Sequence, residues 1–283
     1  MSSELTPGRV TDLSHGVRRL VAPNPGMMTG PGTNTYIVGT RELAVIDPGP
    51  AIAAHIDAIK GAVKASVRWI LVTHTHPDHS PAAAILAEAC GAQLIGRPAP
   101  TTGPQDRTFI PDRVPEDGER IGSGDCELEI VPTPGHASNH LCYRHVGLNW
   151  LFTGDHIING STVVIDPPDG NMSDYLRSLE RLAQLNCTAI APGHGDVIQE
   201  PAKAIEDLIR HRLRREAKAA AAVADSPGAT LHELVKVVYS DVNPSLHPLA
   251  ERSLLAHLDK LAADSRVVRR ADCWHGTASP RHS

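Results

Sequence analysis

The chain has 283 residues, of which 41% are hydrophobic and 21% charged, with a formal charge of −5. These are the proportions of a soluble globular protein with one large domain, or a large one plus a small one, and they exclude a disordered tail or a fibre. No stretch approaches the ~20 apolar residues of a membrane span, and an acidic balance with 3% aromatic content does not suit a general nucleic-acid binder.

Along the chain, residues 35–47 read as two short strands interrupted at Gly39 and Thr40. Residues 51–64 have helical spacing, and the continuous apolar run 69–73 is that of a buried strand. A helix over about 82–90 is expected to end at Gly91, a residue suited to the left-handed turn after a helix. A Pro- and Gly-rich connector over 96–117 precedes three strands, at 126–133, 141–145 and 150–153. Ser173 is expected to cap a helix running to about 185, before a short strand at 188–191. Strands and helices mixed in this order fit sheets covered by helices, an α/β class.

The character changes near residue 200, which sets domain limits of 1–202 and 203–274, with a loose tail over 275–283. Residues 202–224 read as a helix carrying Arg210, Arg212, Arg214 and Arg215. Thr230 and Glu233 form a capping box that opens the next helix. A third covers about 249–263, with Leu254, Leu255, Leu258 and Leu261 on a buried stripe, and residues 266–274 suit a hairpin. Three helices and a hairpin resemble a winged helix. Residues 203–270 hold 12 basic against 9 acidic residues, a weak anchor for duplex DNA.

Sixteen histidines stand against 27 lysines and arginines, and histidine is the commonest metal ligand. The decisive stretch is His74-Thr-His76-Pro-Asp78-His79, directly after the strand at 69–73. Two histidines two residues apart in extended chain can face one side, while Asp78 and His79 come from the following turn. Three further pieces share a layout of strand, glycine and ligand-type side chain, ending at His136, Asp155 and His194. Imidazole and carboxylate without thiolate suit zinc first, then iron or manganese. The five cysteines (Cys90, Cys126, Cys142, Cys187, Cys273) are scattered and read as buried thiols rather than a disulfide framework. The N-terminal stretch lacks the apolar segment of a secretory signal, so a cytoplasmic location is expected.

These four pieces, in this order, resemble the metallo-β-lactamase superfamily. The resemblance implies an αββα sandwich, followed here by the small winged-helix domain. It places His74, His76 and His136 on a first ion and Asp78, His79 and His194 on a second, with Asp155 bridging, so two Zn2+ are expected. Asp47, in Val-Ile-Asp-Pro-Gly, would support the ligand histidines from behind; a turn-forming Asp-Pro-Gly is the alternative. Asp78 would also orient a hydroxide held between the ions. A closer resemblance, carried by Asn24-Pro-Gly-Met, Gly32-Thr-Asn-Thr-Tyr36, Gly160-Ser161-Thr162 and the helix from Asp174, is to lactamase-like hydrolases with a C-terminal winged helix. There His140 is placed either at the substrate or as an orienter of its loop. Ser161 and the pair Met27 and Met28 fall on loops bordering the site.

The implied function is a dinuclear hydrolase acting on a thioester- or ester-type acyl substrate, with a single-strand-selective endoribonuclease as the alternative. A metal-sensing nucleic-acid-binding regulator and a true β-lactamase are weaker readings; in one class of the latter a Cys stands where this chain has Asp155. The expected partner is a small-molecule acyl substrate or single-stranded RNA, without a membrane and with a homodimer as the possible assembly. The winged helix is expected to wall one side of the cleft, with the arginines near Arg212 as the alternative guide for a single strand.

Overall fold

The structure, a computed structural model, describes residues 5–277. Its first sheet has the spatial order β1 (Thr11–Ser14), β2 (Val17–Val21), β3 (Asn34–Val38), β4 (Glu42–Ile46), β5 (Ser66–Leu71), β6 (Gln93–Ile95). Pairing is antiparallel as far as β4 and parallel from β4 to β6. Parallel neighbours need a crossover, and α1 (Ala53–Ala62) and α2 (Ala83–Cys90) supply them. The second sheet contains β7 (Arg120–Ile121), β8 (Leu128–Pro132), β9 (Leu141–His145), β10 (Trp150–Gly154) and β11 (Ala189–Pro192), in the order β11-β10-β9-β8-β7. Here α3 (Met172–Ala183) makes the one parallel crossover, between β10 and β11.

Side-chain alternation builds three apolar layers from these two sheets. Ala44 and Ile46 of β4 meet Ile130, Tyr143 and Phe152 of the second sheet in the central layer. Their neighbours Leu43 and Val45 face outward against Ile59 of α1 and Leu86 of α2. On the other side, Leu151 and Ile190 pack against Leu179 of α3 and Ile205. Helix, sheet, sheet and helix are thus stacked in the expected αββα order.

A third, small sheet closes the C-terminal module: β12 (Ala229–Thr230), β14 (Cys273–Gly276) and β13 (Val267–Arg270) in that order, with α4 (Pro201–Asp225), α5 (Leu231–Val238) and α6 (His247–Ala263). The Thr230 and Glu233 capping box is formed. The module has its own core, where Val223, Leu234, Leu258 and Trp274 meet.

Several boundaries differ from expectation for physical reasons. Asn171, not Ser173, caps α3: Asn171 has extended backbone and accepts the Asp174 N–H, whereas Ser173 already lies inside the helix. No break occurs at 202/203, because α4 is continuous and serves both modules, Ile205 in the sandwich core and Val223 in the winged-helix core. The third helix of the module starts at His247 rather than 249. The hairpin runs to Gly276, so residues 275 and 276 of the expected tail are strand, and residues 278–283 lie outside the described residues. All five thiols are free, but only Cys126 and Cys142 are fully buried. Among the described residues no helix is long and apolar enough to cross a membrane.

Candidate metal centre

The strand directions decide where the chemistry gathers. β4 and β5 run parallel, and β8, β10 and β11 share one direction, since β8 and β10 are each antiparallel to β9 and β11 is parallel to β10. Asp47, His74, His136, Asp155 and His194 each follow the C-terminal end of one of these five strands. One rim of the sandwich therefore collects them all, and the turn after β5 adds His76, Asp78 and His79.

The side chains fall into two trios. His74 Nε2 lies 2.9 Å from His76 Nδ1, which lies 3.1 Å from His136 Nε2. Asp78 Oδ2 lies 3.4 Å from His79 Nε2 and 3.2 Å from His194 Nε2. Asp155 stands between them: Oδ1 is 3.4 Å from His79 and 3.2 Å from His194, while Oδ2 is 3.8 Å from His136. Each carboxylate oxygen thus faces one trio. The close fit explains two glycines. A Cβ on Gly193 would sit 2.7 Å from Asp155 Oδ1 and 2.8 Å from the His79 ring, and one on Gly154 would sit 2.4 Å from Thr73 Oγ1.

Asp47 lies behind both trios. Its backbone is in the left-handed region at φ 47°, uncommon for a non-glycine residue, and its carboxylate is buried. Oδ1 accepts the Thr73 N–H at 2.8 Å, and Oδ2 accepts the Thr73 hydroxyl at 2.7 Å and faces His79 Nδ1 at 2.9 Å. With its own proton given to Asp47, Thr73 Oγ1 can accept from His74 Nδ1, 3.0 Å away. One carboxylate therefore fixes the orientation of one histidine in each trio and turns both Nε2 atoms inward, leaving that of His74 bare. His136 is fixed likewise, its Nδ1 donating to Val164 O at 2.8 Å.

These constraints test whether cations fit. His136 Nε2 is bare because its other nitrogen holds the proton, and so is His74 Nε2. Both converge on His76 Nδ1, which has at most one proton to share, so one lone pair in the first trio meets another unless a cation separates them. In the second trio, His79 Nε2 and Asp155 Oδ1 are buried without a hydrogen-bond partner. Three overlapping groups have donor atoms all within 4.8 Å of one another: His74, His76 and His136; His74, His79 and Asp155; Asp78, His79 and His194. The donor set fits divalent cations.

The electrostatics of the trios differ. Burial pushes His74 well down and His76 down to about 3, and their histidine neighbours add to this. Burial acts the same way on His194, but Asp155 and Asp78 outweigh it and raise the ring to about 10. The same balance raises His79. Burial would raise the carboxyls of Asp78 and Asp155, yet the adjacent His79 and His194 hold both well below the usual range.

Other expected residues are placed as follows. His140 is 0% exposed, stacks on His74 at 5.0 Å and bonds Thr133 at 2.9 Å. It is shielded from any substrate and buttresses His74. Ser161 is exposed and lines a chamber of about 350 Å³ beside His136, Asp155 and His194, with Met27 and Met28. Among the arginines near Arg212, Arg212 and Arg215 are buried, Arg210 is paired with Asp207 at 2.9 Å and Arg214 is exposed.

Sequence reasoning missed four contributors. Thr33 donates to Asp78 Oδ2 at 3.0 Å and is itself fixed by both ends of the Asn24 amide, so the Asn24 and Thr33 motifs are one device that holds Asp78. Arg252 of α6, paired with Asp166 at 2.9 Å, walls the cavity of about 240 Å³ over His76 and Asp78. The polar motif around Asn24 was the only available signal for the first pair; nothing local marks the second.

Comparison with known proteins agrees with this architecture. The family described as "Metallo-beta-lactamase superfamily" matches residues 28–194, and "Beta-lactamase associated winged helix domain" matches residues 230–274. A "Beta-lactamase-like protein 2 homolog" of Drosophila melanogaster is 34% identical over 93% of this chain and 94% of its own length. "Lactamase-like protein aptB" of Emericella nidulans is 30% identical over 91% of this chain and 84% of its own. The crystal structure of a "Beta-lactamase domain protein from Burkholderia ambifaria" superposes with a TM-score of 0.81 at 20% identity, covering 97% of this chain and 96% of that one.

Proposed function

Because the chain belongs to the metallo-β-lactamase superfamily, we propose that this hydrolase-family protein cleaves a thioester- or ester-type acyl substrate at a two-ion centre. His74, His76 and His136 would hold one ion, Asp78, His79 and His194 the other, with Asp155 ligating both. Two divalent ions, zinc first on this donor set and iron or manganese next, would supply a water acidified toward neutrality and an electrophile for the substrate oxygen.

The observation that carries the acyl reading is the chamber beside the ligands. Met27, Met28, Ile158, Val163, Leu246 and Leu249 line it, and no Lys or Arg does. Such walls take an apolar acyl chain; a polynucleotide needs cations along its phosphates. Asp78, held at Oδ2 by Thr33, borders the neighbouring cavity and would orient an attacking water there. Arg252 and Asp166 close that cavity on the winged-helix side, so the module shapes the substrate space. A cytoplasmic location is consistent with five free thiols.

The test is a substrate panel on metal-loaded protein: short acyl-thioesters, nitrocefin, bis-p-nitrophenyl phosphate and labelled single-stranded RNA. The thioesters should give the highest kcat/KM. Faster turnover of the RNA would replace the acyl reading with the endoribonuclease one.

A further inference from the structure

In a DNA-binding winged helix, the second helix of the helix-turn-helix pair lies in the major groove. Here α6 is spent on the sandwich. Ser253 Oγ accepts the Ile165 N–H at 3.3 Å, Arg252 pairs with Asp166, and Ala256 joins the core around α3. This docking leaves a second, open chamber of about 250 Å³ between the loop at 161–164, α4 and α6. Its wall includes Arg212, Arg215 and His211 and contains no Asp or Glu.

Arg212 is the anomaly. It is 2% exposed, donates from Nη2 to Val163 O at 2.5 Å, and lies 5.1 Å over the Tyr175 ring. Its Nε has no partner, and among the described residues no carboxylate is in ion-pair contact with it. Arg215, one turn along, has Asp241 at 2.7 Å. Glu216 is occupied with Lys260 at 3.1 Å and Arg266 at 3.1 Å. A buried guanidinium without a counter-charge is costly to keep. Two neighbours register the same uncompensated field. His257 is 0% exposed with both ring nitrogens unpartnered, and burial, then Arg212, His211 and Arg215, push it down to about 3. His211 is lowered by burial and by the same two arginines.

We propose that this chamber binds an oxyanion, a carboxylate or a phosphate on an apolar stem, with Arg212 as its counter-charge. Ser161, Thr162 and Tyr239 put hydroxyl-bearing residues on the wall, and Leu246 and Leu249 accommodate the stem. Ser161, Thr162, Leu246 and Leu249 also line the chamber beside His136, Asp155 and His194, so the two spaces adjoin. The oxyanion is then the far end of the acyl substrate. That last step rests on the acyl-hydrolase reading; the binding itself does not.

The test is calorimetric titration of the metal-loaded full chain with hexanoate, butylphosphonate and neutral hexanamide, read as binding and not turnover. Wild type should prefer the anions by about tenfold or more, the scale of a hydrogen bond to a charged group. The stronger of the two anions identifies the head group. Arg212→Met should lose that preference, keep its metal content and melt no lower than wild type, because a buried charge has been removed. An undiminished preference in Arg212→Met means the anion sits on the metal ions and overturns the proposal. So does a lower melting temperature, which makes Arg212 a bracket between Val163 and Tyr175. Ala250→Phe, which fills the chamber and leaves Arg212 in place, decides the matter if Arg212→Met does not fold: it should abolish the preference, and anion binding that survives it overturns the proposal.

Discussion

At the strand-end rim, Asp47, Asp78 and Asp155 are set among His74, His76, His79, His136 and His194, and bare ring nitrogens converge where a cation would neutralise them. In the seam between α4 and α6 the signs are reversed: Arg212, Arg215, His211 and His257 cluster, and the carboxylate paired with Arg215 belongs to Asp241, outside the chamber wall. Both regions bury polarity that the chain does not fully satisfy, and each imbalance matches a ligand of opposite charge. The rim is rigidly braced, since Asp47, Thr73, Thr33 and Asn24 fix its donors through buried hydrogen bonds. The seam is braced by one carbonyl and one ring. The first is built for fixed geometry, the second for an exchangeable occupant.

The largest expected effect breaks the rim. Asp155→Ala removes the one side chain whose oxygens face both trios. Its loss of turnover should exceed the roughly 10–100-fold that partners behind the ligands typically cost. Elemental analysis after reconstitution should fall below two equivalents, and the melting transition should remain cooperative because the lesion is local. Normal turnover at full loading would remove Asp155 from the centre.

Asp47→Asn sharpens the same comparison at smaller scale. An amide keeps the shape but presents one donor where two acceptor oxygens now serve Thr73 and His79. Metal retention should weaken by roughly 10–100-fold in competition with a chelator, with turnover recovering as metal is added. The donors from both trios should be affected, since Asp47 orients His79 directly and His74 through Thr73.

What could be read from sequence follows from how local each feature is. The ligand residues lie directly after strand ends, each next to a glycine or inside one six-residue run, so contiguous residues carry the pattern. The apolar runs of β4, β5 and β10 are equally local. By contrast, β2 reads poorly because it carries Arg18 and Arg19; Arg19 is buried and paired at 2.9 Å with Asp196, far along the chain. β7 has two residues and exists through its partner β8. The role of His140 turned on burial, which a His spaced four from a ligand does not reveal. The seam was invisible for the same reason: four arginines in one helix read as a guide for a single strand, and the docking of α6 onto residues 163–166 accompanies the burial of Arg212. Tertiary contact, not propensity, decided these cases.

The smallest effect probes the seam through pH. His257 is neutral when folded, with its pKa pushed down to about 3 by burial and by Arg212, His211, Arg215 and Lys260, against about 6.5 in an unfolded chain. A depressed imidazole of this kind costs nothing above the unfolded value. As pH falls below about 6.5, the unfolded state takes up a proton that the folded state refuses, so stability drops, and it continues to drop until the folded value is reached. At pH 5 the penalty from this one residue should be about 2 kcal/mol, against almost none at pH 7. His257→Leu removes it. Urea unfolding of both proteins at pH 7, 6 and 5 reads the residue, since histidines remote from it cancel in the difference between wild type and variant. The variant should gain on wild type steadily as pH falls. Parallel curves would mean that His257 accepts a proton in place, so that the cationic surroundings do not act on it as the packing of α4 against α6 requires.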